Sequence, residues 1–363
     1  MIGVLCTSYP RSPDDPAGSF VRARVRALEA EGQRVEVIAA GQGSETSEGN
    51  VRVFRVPAAG AAKIFYSGGA PEALEHGVPG QRVRVWLEAA HFSARMMALA
   101  AERAARWSAV ESHWLIPSAV VACALAPHLH HRAHAHGGDV FLLARLPGGA
   151  SLARFFCRSG AELVFASADL RDRFARLCGQ SADALAARIR VQPAPFDSSL
   201  FRPRSVGERH SLRSRLGLEG FAVLAAGRLV PIKGYDVLVH ALGHLPLRER
   251  PTLVIAGAGP EEPRLRRLAA ACAVDLRLPG LVSAATLAEW MAVADLFVHP
   301  CRSLPNGRSE GAPVVVREAL AAGLPVIASA LGGLPELAGH ERLTLVAAEN
   351  PSALATEIAL ARS

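Results

Sequence analysis

A-V-L-A-A-G-R-L-V-P-I-K-G-Y-D-V-L-V-H-A-L-G, residues 222–243, holds a complete strand, loop and helix. Ala222–Ala226 is a short, continuous apolar run, as in a strand covered on both faces. Glycines at 227 and 234, with Pro231 between them, break the run and form a loop. Tyr235–Gly243 then reads as a helix. The alternation continues without a gap. Thr252–Ala256 is a strand, Glu261–Cys272 a helix and Leu276–Leu278 a strand. Thr286–Ala292 is a helix, Leu296–His299 a strand, Val314–Ala322 a helix and Pro325–Ser329 a strand. Strict alternation predicts α/β architecture with a doubly wound parallel sheet.

Upstream the pattern repeats at looser spacing. Ile2–Cys6 reads as a strand, and Ser19 is placed to cap the following helix. In that helix Val21, Val25 and Leu28 fall on one face. Gly32 ends it and Val35–Ala39 is the next strand, so a βαβ unit with parallel strands is expected. Val51–Val56 is a further strand. Residues 82–107 form one long helix or two, with Trp86, Phe92, Met96, Met97 and Leu99 at apolar positions. Ala109–His113, His134–His136 and Leu163–Ala166 occupy strand positions, and Ala168–Leu177 a helix. Pro193–Ser199 breaks both patterns. The boundary is set just beyond it, giving domains 1–202 and 203–363. Two such domains in series imply a cleft, with ligands at the carboxyl ends of the strands.

The bulk properties fit. Half of the 363 residues are hydrophobic and 20% are charged, enough for buried cores and against extensive disorder. The net charge of +7 and pI near 9.5 favour anionic partners. Arginines are scattered, with no basic run interleaved with aromatics, so no nucleic-acid partner is expected. The six cysteines include no CxxC pair and read as reduced thiols. His128, His130, His131 and His134 give no fixed helical pair with carboxylates, so no metal is expected there. The N-terminal run is a strand and not a signal peptide. Ala119–Ala126 is far short of the roughly 20 residues that span a bilayer. A cytoplasmic location follows, with membrane association open: Arg22 and Arg26 share a helix face, and 82–107 is amphipathic and basic in places.

Two stretches carry chemistry. In Ser303–Glu336, Gly311-Ala312-Pro313 opens a helix between Glu310 and Glu318. Free backbone N–H groups at that end suit a phosphate. Arg228 and Lys233 flank the loop after the 222–226 strand and form a plausible diphosphate clamp that needs no metal. Gly257-Ala258-Gly259 mimics the start of a dinucleotide fingerprint, but Glu262 stands at the third glycine position and the fingerprint fails.

Four segments in order, G-R-L-V-P-I-K-G-Y-D (227–236), V-I-A-G-A-G-P-E (254–261), A-D-L-F-V-H-P (294–300) and S-E-G-A-P-V-V-V-R-E-A-L-A-A-G-L-P-V-I-A-S-A-L-G-G-L-P-E (309–336), resemble the retaining nucleotide-sugar glycosyltransferases of glycosyltransferase family 4. Weaker matches lie at A-G-S-F-V-R (17–22), E-S-H-W-L-I-P-S (111–118) and H-A-H-G-G-D-V (134–140). The resemblance implies the GT-B fold: two Rossmann-like domains facing each other across a cleft, acceptor in the first and donor in the second. It implies that Arg228 and Lys233 hold the donor phosphates and that Glu310 contacts the sugar hydroxyls. Glu318 would accept from the ribose, and Gly311 and Ala312 would offer backbone N–H. Val282 would lie at the base, Gly18 would let the N-terminal loop approach the donor, His136 would face the reactive sugar, and Asp139 would position the acceptor or orient its loop. The implied donor is a UDP- or GDP-sugar, used without a cofactor, and the acceptor a glycan, lipid-linked group or small molecule. A nucleotide-sugar epimerase or an inactive sugar-nucleotide-binding protein would share the architecture. One departure is Ala194-Pro195-Phe196-Asp197, where relatives have an Asn-Gly-Val-Asp-like turn.

Overall fold

The computed structural model describes residues 1–57, 79–125 and 128–362. Ala126, the end of the apolar run noted above, lies outside them. The chain forms two compact units: Met1–Ser12 with Ala17–Pro195, and Pro13–Pro16 with Phe196–Ser363. The division falls inside the Pro- and Ser-rich segment.

In the first unit β1 (Ile2–Leu5) leads to α1 (Ser19–Ala30), then β2 (Val35–Gly41), β3 (Glu45–Glu48) and β4 (Val51–Pro57). Next come α2 (Pro79–Ala104), β5 (Ala109–His113), α3 (Val120–Leu125), β6 (His130–Ala135), α4 (Gly138–Leu143) and α5 (Gly149–Arg158). β7 (Glu162–Phe165), α6 (Ala168–Cys178) and β8 (Ile189–Val191) complete it. The strand order is β3-β4-β2-β1-β5-β6-β7-β8, parallel except for the β3–β4 pair. Alternation along β1 sorts the core. Val4 packs with Val21, Val25 and Leu28 of α1, whereas Leu5 packs with Phe92 and Met96 of α2. Trp86, expected at an apolar position, is 42% exposed on the outer side of α2. α2 is also tied to the sheet by charge. Arg103 donates to both oxygens of buried Glu36 on β2, at 3.1 and 3.0 Å, and Trp107 Nε1 adds a bond of 3.0 Å. The cap of α1 is Gly18, in the left-handed region at φ 74°, and not Ser19, which is the first helical residue.

The second unit opens with α7 (Val206–Arg215), closed by a Ser205–Glu208 capping box. β9 (Ala222–Ala226), α8 (Tyr235–Gly243), β10 (Thr252–Ala256), α9 (Glu262–Ala271) and β11 (Leu276–Gly280) follow. Then come α10 (Ala284–Val293), β12 (Leu296–His299), α11 (Val314–Ala321), β13 (Val326–Ser329), β14 (Leu343–Val346) and α12 (Pro351–Arg362). The sheet order is β11-β10-β9-β12-β13-β14, all parallel. This is the Rossmann order, with reversal between β9 and β12. The first sheet reverses in the same way between β1 and β5.

The glycines after β10 have a packing reason. The loops after β9 and β10 are zipped by backbone bonds from Gly227 to Ala256, Leu229 to Ala258 and Glu261 to Leu229, each 3.0 Å. A Cβ at Gly257 would sit 1.9 Å from the Gly227 carbonyl oxygen, and one at Gly259 2.4 Å from that of Leu229. Both neighbours are backbone and cannot swing aside. Gly257→Ala should therefore cost about 2 kcal/mol or more. Thermal melting checks this, and an unchanged midpoint would show that the loops are not pinned.

Candidate functional site

The second-unit site forms where strand order reverses. β9 ends at Ala226 and delivers the 227–234 loop. β12 ends at His299 and delivers the loop that carries Glu310. Lys233 Nζ lies 2.9 Å from Glu310 Oε1, with both side chains about 15% exposed (16% and 14%). Burial pushes the Glu310 carboxyl up, but the Lys233 charge outweighs it and holds it below the usual carboxylate range. His299 Nε2 lies 3.9 Å from Glu310 Oε2. That imidazole is fully buried, and burial and the Lys233 charge push it down to about 3, so it is neutral. Both of its ring nitrogens, and the Tyr235 hydroxyl, lack a protein hydrogen-bond partner. The loop after β9 thus faces unsatisfied buried polar atoms, as expected where a ligand completes the structure.

Gly311 is buried and Ala312 half-buried. Gly311 is held by a 2.6 Å bond from Gly333 N to its carbonyl. α11 begins at Val314, so Pro313 is the cap residue and not the first helical position. Glu318, in the second turn, is buried, and burial raises it to about 7 against the pull of its neighbour Arg317. Arg228 is half-buried on the β9 loop, and Val282 half-buried after β11 against the core of this unit. The structure thus joins Lys233 to Glu310 directly and places Arg228, Gly311 and Ala312 on the same two loops.

The first-unit residues lie at the ends of β5 and β6. His136 Nε2 is 3.0 Å from His113 Nδ1, and the two rings stack at 5.2 Å. Burial, then the nearby His134, pushes His136 down to about 3, so it too is neutral. Asp139 is fully committed. Its Oδ1 accepts from the amides of His136, Gly137 and Val140, and its Oδ2 from Leu115 at 2.8 Å. These bonds tie the Asp139 carboxylate to the backbone around it. Gly18 is buried, and a Cβ there would meet the Ser8 carbonyl oxygen at 2.4 Å.

Sequence reasoning missed His299 and Glu111. His299 was legible as the one polar residue ending the apolar strand Leu296–His299. Glu111 accepts from Arg24 Nε and Nη2 at 2.9 and 2.6 Å. Of the histidines that looked like a cluster, His131 bonds Ser112 Oγ at 2.8 Å, His130 is exposed, and only His134 joins the strand-end group.

Residues 220–361 match the model of the family "Glycosyl transferases group 1". The match spans most of the second unit. A GDP-mannose-dependent alpha-(1-6)-phosphatidylinositol monomannoside mannosyltransferase of Mycobacterium tuberculosis is 38% identical over 219 residues, 59% of this chain and 55% of that protein. A D-inositol 3-phosphate glycosyltransferase of Jonesia denitrificans is 36% identical over 172 residues, 44% of this chain and 39% of that protein. The chain thus spans about half or less of the curated relatives it matches. Anabaena Alr3699/HepE, solved with UDP and glucose, superposes with TM-score 0.70 at 19% identity, covering 99% of this chain and 89% of that one. The lipopolysaccharide-biosynthesis glycosyltransferase WaaG gives 0.69 at 19% identity, over 100% and 92%. At those identities the likeness shows the fold, which is GT-B.

Two outcomes follow from the charges. Lys233→Met leaves Glu310 buried without its cation and should cost about 3 kcal/mol at pH 8. Because the native pair holds Glu310 below its ordinary value of 4.5, its stabilisation is full above that pH and is lost as pH falls below it, so the cost should shrink below pH 4.5. A cost that does not vary with pH would contradict the pairing. Glu318 has the opposite sign. Its raised value means that the native state loses stability as pH rises from 4.5 to about 7. Glu318→Gln should remove that slope, worth on the order of 3 kcal/mol, in urea titrations across this window.

Proposed function

We propose that this protein transfers a sugar, with retention at the anomeric carbon, from a nucleoside diphosphate sugar to an acceptor, in the manner of glycosyltransferase family 4. The observation that carries the reading is the Lys233–Glu310 pair at the β9/β12 reversal, beside the free amides that open α11. Lys233 and Arg228 hold the diphosphate, and the Gly311 and Ala312 amides receive the β-phosphate or sugar. Glu310 accepts from sugar hydroxyls, and Glu318 from the ribose. Val282 lies beside the base. These groups stabilise the charge that builds on the departing diphosphate.

In the step proposed, the bond from the anomeric carbon to the phosphate oxygen breaks. The acceptor oxygen bonds to that carbon on the same face, and its proton passes to the leaving phosphate oxygen. Protein cations neutralise the diphosphate, so no metal is needed at the donor. His136 lies in the first unit, which this reading assigns to the acceptor, and is neutral and able to accept or donate one hydrogen bond. The 38% identical relatives are GDP-mannose-dependent, which ranks a GDP-sugar ahead of a UDP-sugar. The basic charge supports an anionic or lipid-linked acceptor at a membrane surface. Among the described residues no helix is long and apolar enough to cross a membrane, so such contact would be peripheral.

The test is a thermal-shift screen against GDP, UDP, ADP and TDP at millimolar concentration without added metal. A nucleotide at about 100 times its Kd should add roughly 2.7 kcal/mol of stability. GDP should give the largest shift, and Lys233→Ala should abolish it. No shift with any nucleotide, or turnover near wild type in Lys233→Ala or Glu310→Ala, would overturn the reading. Donor conversion without acceptor would instead identify an epimerase.

A further inference from the structure

β5 and β6 run parallel with His113 paired to His134 and Glu111 to Arg132. Alternation therefore puts Glu111, His113 and His134 on one face of the sheet. All three are buried, at 5%, 1% and 8% exposure. One ligand atom from each lies within 4.8 Å of the others. His134 Nε2 is 3.3 Å from Glu111 Oε2, yet the contact lacks hydrogen-bond geometry, and His113 Nε2 is also without a partner. Two buried imidazole nitrogens are thus left unsatisfied beside one carboxylate, in a small pocket they line with Arg24 and His136. Such atoms are costly unless something occupies the space between them.

We propose that Glu111, His113 and His134 bind one divalent transition-metal ion, zinc by preference, with water in the fourth position. Two ligands about 2.0–2.1 Å from a tetrahedral ion stand about 3.3–3.4 Å apart. The Glu111–His134 separation matches that edge. The ligand atoms all lie within 4.8 Å of one another, so the ion draws any wider pair together. The donor set of two imidazoles and a carboxylate suits zinc. Arg24, donating to both Glu111 oxygens, fixes the orientation of the carboxylate. The position of Arg24 and of Arg132, 3.5 Å from Glu111, weakens the site relative to one without nearby cations.

The ion would also set the state of a residue in the proposed function. With His113 Nε2 on the metal, its Nδ1 carries the proton and donates to His136 Nε2 across 3.0 Å. His136 then keeps its proton on Nδ1. The inference does not rest on glycosyl transfer, and its test is independent of activity.

The chelator-treated full chain is titrated with zinc chloride against a chromophoric competitor, and separately with cobalt chloride. Wild type should take up one ion, and bound cobalt should give the visible absorption of a four-coordinate site. Outer-shell changes alone cost 10–100-fold in affinity, so His113→Asn and His134→Asn should each lose more than about tenfold. His130→Ala and the Cys157→Ser/Cys178→Ser double variant should bind as wild type. Equal uptake by a His113→Asn/His134→Asn variant, or no stoichiometric uptake by wild type, overturns the proposal. Should the histidine variants not fold, X-ray absorption of the zinc-loaded wild type decides: nitrogen and oxygen donors with imidazole scattering support the site, and sulfur donors overturn it.

Discussion

In the second sheet the crossovers on either side of β9 leave in opposite directions, and the loops after β9 and β12 must therefore part. Every group assigned to the donor depends on that parting. Lys233 arrives on one loop and Glu310 on the other, and the 2.9 Å contact between them fixes the width of the opening. The neighbouring loop after β10 is not free to fill it, because backbone bonds hold it to the 227–229 strand end. The small residues at 257 and 259 make that zipper possible, so a pair that resembles half of a dinucleotide fingerprint serves backbone packing instead.

The alternation after residue 222 was legible because parallel strands buried on both faces are apolar throughout, and their helices show one apolar stripe. The α1 face of Val21, Val25 and Leu28 was legible for the same reason. β3 was not, since Glu45–Glu48 is exposed at every position and carries no hydrophobic period. Nor was the cap of α1: Ser19 has the favoured side chain, but the chain enters the helix in a left-handed turn only Gly18 takes easily. Lys233 and Glu310 were found as separate motifs, and their contact is a property of the sheet order. The Glu111–His113–His134 group was beyond reading altogether. It is made by the register of β5 against β6, which brings together residues some 20 apart, whereas the eye is drawn to the adjacent histidines at 128–134.

Both sites place a carboxylate under a cation and beside an imidazole, Glu310 with Lys233 and His299, Glu111 with Arg24 and His134. The electrostatics differ in one respect. Arg24 presents two parallel donors to Glu111 and spends its fork on the carboxylate. Lys233 is a compact ammonium with three donors, of which one reaches Glu310. The first arrangement locks a side chain in place, and the second leaves capacity for more.

That remaining capacity reconciles two demands on one residue. Were Lys233 to leave Glu310 for a phosphate, a buried carboxylate would lose its cation, at a cost of several kcal/mol. It need not leave. One donor can stay on Glu310 while two others face a diphosphate, so in the proposed function the ammonium would neutralise the leaving group and keep Glu310 ionised as an acceptor for sugar hydroxyls. A bidentate arginine at 233 would have to choose. Arg228, on the same loop and half-buried, adds a second positive charge. The division of labour, a lysine between ligand and carboxylate and an arginine beside it, follows from the donor geometry of the two side chains.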